Sequence, residues 1–175
     1  MNIFYLDNDP NICASYHNDK HVIKMILESA QLLSTAHRVL DGHRYVEIKN
    51  NRRISRWRLE HNDDILYKAT HINHPSNIWV RSSSENYIWL YELLFALCNE
   101  YTFRYNKMHK TSELLTALKV LPKHIPSGCM TSVPQAMPEK YHDNDSVIAY
   151  RNYYINEKIQ FSKYTKREIP SWLYK

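Results

Sequence analysis

The sequence predicts an all-α protein: one compact helical domain over residues 1–175, with long irregular loops. Two long segments, residues 17–40 and 82–105, carry apolar side chains at helical spacing. No convincing pair of strands is visible, and only two glycines occur in 175 residues. Between the later helices, Pro122, Pro126, Gly128, Pro134 and Pro138 keep residues 122–140 out of regular structure.

In chain order, the start NIFYL reads as a short extended lead-in. Asn18 or Asp19 can cap the first helix, which runs to about Leu40 and stops at Asp41-Gly42. Val22, Ile23, Met25, Ile26, Ala30, Leu33 and Leu40 form its apolar back. From Arg38 to Arg58 there are seven Lys or Arg against two acids, with Trp57 among them. Residues 41–60 are therefore expected to be a basic loop or short helix. Ser82 and Glu85 make a capping-box pattern ahead of NYIWLYELLFALCNEYTFRY, a helix apolar enough to be central and mostly buried. Residues 111–121 read as a third helix. The Pro-rich stretch 122–140 reads as an ordered loop serving as lid or substrate wall. Asp143 or Asp145 can cap a last helix, SVIAYRNYYINEKIQFSKY, and the tail TKREIPSWLYK is basic and aromatic.

Composition narrows the function classes. A net charge of +5 suits an acidic partner, with DNA or a nucleotide the obvious candidate. The scarcity of glycine excludes a P-loop and a dinucleotide fingerprint. Cys13, Cys98 and Cys129 are scattered, as in a reducing cytoplasm rather than a disulfide framework. The start fits no signal peptide and no apolar run reaches membrane-spanning length, so a soluble, cytoplasmic protein without membrane partners is expected. For a phage-encoded chain that means the host cytoplasm.

The chemistry-bearing feature is a stripe. His17, His21, Lys24, Glu28, Gln31, Thr35 and Arg38 follow one another at steps of four and three, one line on a helix. Two imidazoles, an ammonium, one carboxylate and an amide suit proton transfer and polar-ligand binding. The competing reading is a solvated face with an ordinary Lys24–Glu28 pair. The pairs His17/His21 and His71/His74 lack a His-Glu-x-x-His pattern and any neighbouring ligand at metal spacing, so no metal and no other cofactor is expected. No Gly-x-Ser-x-Gly elbow or activated cysteine is present. In HINHPSNIWVR, Trp79 and Arg81 follow the His74-Pro75 turn and could anchor a base and its phosphate; core packing of Trp79 is the alternative. Lys20, Arg38, Arg52, Arg53, Arg56, Lys163, Lys166 and Arg167 are the candidate phosphate contacts.

The run Asp19-Lys20-His21-Val22-Ile23, with Glu28 seven residues after the histidine, resembles the first helix of the phage pyrimidine-dimer DNA glycosylases. The likeness continues, thinly but in order, at Glu28-x-x-x-Leu32-Leu33, at His74-Pro75 followed by Arg81, in a Tyr-rich helix ending near Lys107, and in the tail Pro170-Ser171-Trp172-Leu173-Tyr174. It implies a compact all-α fold and cleavage of an N-glycosidic bond at a flipped or destacked base, without a cofactor. Glu28 would be the key carboxylate, with His21 and Lys24 tuning it. His17, Gln31, His74, Trp79, Arg81 and Trp172 would contact substrate. The family nucleophile is the α-amine exposed when the initiator methionine is removed. Here residue 2 is Asn2, too bulky for usual excision, so the amine would be that of Met1. The family's arginines just before and three after the glutamate are replaced by Leu27 and Gln31, a departure from a site for cyclobutane dimers in duplex DNA. Two alternatives stand beside this reading: a phage-type base-modifying or nucleotide transferase on the same scaffold, and a non-catalytic nucleic-acid-binding or host-interaction protein.

Overall fold

The computed structural model describes residues 1–174. Helices take up 51% of the chain and a two-stranded antiparallel sheet is present, so the fold is mixed α/β with helices dominant. The expected all-α class is corrected by that sheet.

A short helix absent from the sequence reading opens the fold: α1, Pro10–Tyr16. Asp9 caps it by accepting from the backbone N–H groups of Asn11 and Ile12, and Pro10 occupies the first turn, where no N–H is needed. Helix α2 is Asp19–Asp41, with the Asn18 side chain accepting from the His21 N–H at 2.9 Å. It ends at Gly42, whose N–H reaches the Arg38 carbonyl at 3.0 Å. A Cβ at Gly42 would lie 2.4 Å from that same oxygen. Helix α3 is Pro75–Val80, capped by His74, where the sequence suggested only a turn. Helix α4, Ser84–Tyr105, is the central one and packs against both α1 and α2. Leu32 and Leu33 of α2 and Leu90, Leu93, Leu94 and Leu97 of α4 are fully buried in the shared core. The predicted third helix is a 3-10 turn, Lys110–Leu114, running into a single α-turn, α5, Leu115–Leu118. Helix α6, Ser146–Glu157, stops sooner than expected and gives way to a 3-10 turn, Ile159–Phe161.

The basic segment is neither loop nor helix. His43–Lys49 (β1) and Arg52–Arg58 (β2) pair antiparallel, with Lys49 opposite Arg52. Asn50 and Asn51 both have positive φ, 51° and 57°, which marks a two-residue type I′ turn matched to the twist of the strands. Asparagine tolerates that conformation, so the hairpin forms without glycine. Its root is fixed by Arg38 of α2, which is 3% exposed and donates to the carbonyls of Trp57, Asp63, Leu66 and Tyr67 and to the Asp63 carboxylate.

The Pro-rich stretch 122–140 is a strap tied to the body by backbone groups. Its Pro126 and Gly128 carbonyls accept from Ser84 N–H and from the Ser83 hydroxyl. Its Thr131 carbonyl accepts from the Trp79 indole N–H at 3.1 Å, and its Ala136 carbonyl from the Asn2 amide at 2.9 Å.

Candidate active site

Glu28 sits in the middle of α2 and is 14% exposed at its side chain. One oxygen, Oε2, accepts from the Asn2 backbone N–H at 2.9 Å; the other, Oε1, faces the Lys24 ammonium at 3.4 Å. Since Asn2 N–H belongs to the peptide that follows Met1, the α-amine of Met1 is one residue from the carboxylate. The amino terminus is held there from three sides. The Asn2 amide donates to the strap at Ala136, the Tyr150 hydroxyl donates to Asn2 Oδ1 at 2.7 Å, and Asn77 lies 3.9 Å from the Met1 sulfur.

The backbone is strained two residues on from Asn2. Phe4 has φ 53°, a left-handed conformation that a bulky residue adopts only when its surroundings enforce it. The enforcing contacts are aromatic: the Phe4 ring stacks on His21 at 4.2 Å and meets Tyr150 and Tyr154 edge-on.

His74 belongs to the same neighbourhood. Burial first, then the positive charges of the Met1 amine and His71, hold its imidazole below the ordinary range, while Glu28 pulls it the other way. Its Nδ1 accepts from the Ser76 N–H at 3.2 Å, leaving Nε2 as its second nitrogen. Lys24 and Glu28 pair on α2, the Met1-Asn2 peptide reaches Glu28, the charges of the Met1 amine and Glu28 act on His74, and Gln31 stands one turn along the same face as Glu28.

The remaining stripe residues do other things. His17 lies ahead of α2, at the C-cap of α1, so it is off the helix on which the stripe placed it. It is fully buried and its Nδ1–H donates to the Cys13 carbonyl at 2.7 Å. Burial drives its pKa down to about 4. His21 is also buried, 2.5 Å from the Tyr154 hydroxyl, with its pKa lowered to about 3 by burial and then by the nearby charges of His17, Lys158 and Lys24. Both are uncharged packing groups behind the site at neutral pH. Thr35 is buried and accepts from Thr70 N–H, and Arg38 has spent its donors on the hairpin root, leaving none for a phosphate.

Trp79 is a core residue, 5% exposed and edge-on to Trp89. Arg81 is half-buried at the end of α3, with one guanidinium nitrogen, Nη1, unpartnered among the described residues. Trp172 is buried against Tyr16 and Tyr154, and its ring is covered by the Arg151 guanidinium. Of the cations expected to hold phosphate, Arg167 is paired with Glu100 at 2.7 Å and lies over Phe103. Lys166 donates to the Phe103 carbonyl and Asn106, Lys20 sits over Phe161, and Arg56 is paired with Glu47. Arg52, Arg53 and Lys163 are exposed and make no side-chain hydrogen bond or ion pair among the described residues.

Asn2, Tyr150 and the strap carbonyl of Ala136 were not found from sequence. Each acts by tertiary placement, and none sits in a local pattern. A cavity of about 710 Å³ lies elsewhere, between the hairpin root and α5 and lined by His37, Asp41, Leu66, Ala117 and His124. His37 and Glu28 are nine residues apart on α2, so they face opposite sides of the helix. Among the described residues no group of three or more His, Cys, Asp or Glu side chains is arranged to hold a metal ion, and no helix is long and apolar enough to cross a membrane. Comparison of the chain with protein-family models, curated proteins and solved structures gives no match.

Proposed function

We propose that this chain cleaves an N-glycosidic bond, of a base in DNA or of a nucleotide, with Glu28 and the Met1 α-amine as its reacting groups. The observation that carries the reading is the 2.9 Å hydrogen bond from Asn2 N–H to Glu28, which pins the start of the chain to the one carboxylate of the stripe. A carboxylate beside a primary amine is the pair that imine-forming glycosidic cleavage needs.

In this scheme the Met1 amine gives up its proton to water. The free amine attacks C1′ of the sugar. The C1′–N bond breaks, its electron pair leaves with the base, and the base is protonated by water. Glu28 balances the positive charge that develops on the sugar. It then accepts a proton from the added nitrogen and passes it to the ring oxygen, which opens the ring and leaves a protonated imine between Met1 and C1′. Lys24 pairs with the carboxylate, its ammonium 3.4 Å from Oε1. The strap and Gln31 form the walls beside the sugar.

Glu28→Gln tests the assignment, because the amide can still accept the Asn2 N–H but cannot carry charge. Base release should fall by roughly two to four orders of magnitude with little change in substrate affinity. Full turnover in that variant would remove Glu28 from the reaction.

A further inference from the structure

We propose that the β1–β2 hairpin is a DNA-binding ribbon that lies in the major groove of duplex DNA. This names the partner of the proposed site and rests on that reading only for the chemistry, since binding by the ribbon requires nothing from Glu28.

The first observation is charge. Residues 43–58 hold six Lys or Arg and one acid, a surplus of five that equals the net charge of the whole chain. The other 159 residues are balanced, so the positive field of the protein originates in this one element. The second is exposure. The hairpin extends past the end of α2, and every residue of β1 except the partly covered Glu47 is open to solvent: Ile48 is 75% exposed, and Tyr45 and Val46 are exposed beside it. Val46 and Ile48, two residues apart and so on one face of the charged ribbon, are left in water without an explanation from folding. They fit a surface that meets base edges and thymine methyl groups. The third is the state of the cations. Lys49, Arg52 and Arg53 at the tip have no side-chain partner among the described residues. Lower down, Arg44 and Arg58 lie over Trp57 and Tyr45, and Arg44 donates to Ser55 at 2.8 Å, which stiffens the ribbon while keeping its charge outward.

Dimensions agree. Seven residues per strand give a ribbon about 24 Å long, and two strands stand about 5 Å apart. A major groove about 12 Å wide admits such a ribbon, whereas the major groove of A-form RNA is too narrow for it. A second copy of the chain is a poor occupant, because six cations would face six cations. The Arg38 clamp fixes the root, so the ribbon is presented in a set direction from α2.

The test is binding of the full chain to a 20-base-pair DNA duplex of arbitrary sequence, a duplex RNA of equal length and single-stranded DNA, each across a salt series. The wild type should prefer the DNA duplex by tenfold or more. The tip variant Lys49→Ala/Arg52→Ala/Arg53→Ala should bind it about ten- to a hundredfold more weakly, with the slope of log affinity against log salt reduced by about two to three. Circular dichroism and thermal melting confirm that this exposed tip change leaves the fold intact. Ile48→Ala should weaken duplex binding with no change in salt slope. Equal affinity for duplex DNA and duplex RNA, or a tip variant that binds like the wild type, would overturn the proposal. So would loss of binding in Lys163→Ala/Lys166→Ala with the tip intact. Glu28→Gln separates the two readings: it should bind duplex normally, so failure of catalysis and failure of the ribbon are read independently.

Discussion

Mild acid should destabilise this protein well before its carboxylates titrate, with His17 and His21 supplying much of the effect. Burial lowers their pKa values to about 4 and about 3, against about 6.5 in an unfolded chain. Their contribution is complete above 6.5, where both states are neutral. Below 6.5 the unfolded chain takes up two protons that the folded chain refuses, and stability falls as pH drops toward the folded values. Each imidazole approaches about 1.4 kcal/mol per pH unit, so between pH 6.5, where the unfolded imidazoles are half protonated, and pH 5 the pair removes about 3 kcal/mol. That is a large share of the 5–15 kcal/mol typical of a domain. Asp19 and Glu100, whose pKa values are lowered through bonds to Thr165, Arg104 and Arg167, lose their contribution only below the unfolded carboxylate range near pH 4. The window from 6.5 to 5 therefore isolates the histidines. Urea denaturation at pH 7.5, 6.5, 5.5 and 5 measures it, and His21→Gln should roughly halve the slope. Stability unchanged from pH 7.5 to 5 would mean that His17 and His21 are not buried as neutral groups.

Arg38→Met removes a buried guanidinium and strands its carbonyl and carboxylate acceptors, so chemical denaturation should show a loss of about 3–5 kcal/mol. A loss under 1 kcal/mol would mean that the hairpin root is not clamped. Gly42→Ala drives a Cβ to 2.4 Å from the Arg38 carbonyl, which is backbone and cannot swing away. It should cost about 1–3 kcal/mol and lower Tm by about 3–10 °C, measured by thermal melting.

The long helices were legible because their signals are local: the Asn18 cap and 3.6-residue apolar period of α2, and the unbroken apolar run of α4. The hairpin was not, although its strands alternate. Neither face is buried, so no clean apolar side appears in the sequence, and its turn uses Asn50-Asn51 where a glycine would have announced it. Helix α1 carries a legible cap in Asp9-Pro10, but its seven residues are too few to display an apolar period. At the site, Lys24 and Glu28 could be picked out by residue type and helical spacing, and they pair on α2. The stripe as a continuous polar face did not survive folding. Its ends are covered by other parts of the chain: Thr35 by the segment at Thr70, Arg38 by the loop after β2, and His17 by α1 itself. Helical spacing reports which residues share a line. It does not report what packs on that line.

The most direct test of the Glu28–Met1 site is reductive trapping. Wild-type protein is incubated with borohydride and a panel of DNA duplexes and nucleotides carrying normal, modified and damaged bases, and any adduct is mapped by peptide mass. The account predicts a covalent sugar adduct on the peptide that begins at Met1, lost when the amine is blocked and reduced by roughly two to four orders of magnitude in rate in Glu28→Gln. An adduct on a lysine with a free and unmodified Met1, or base release that proceeds undiminished with the amine blocked, would contradict it.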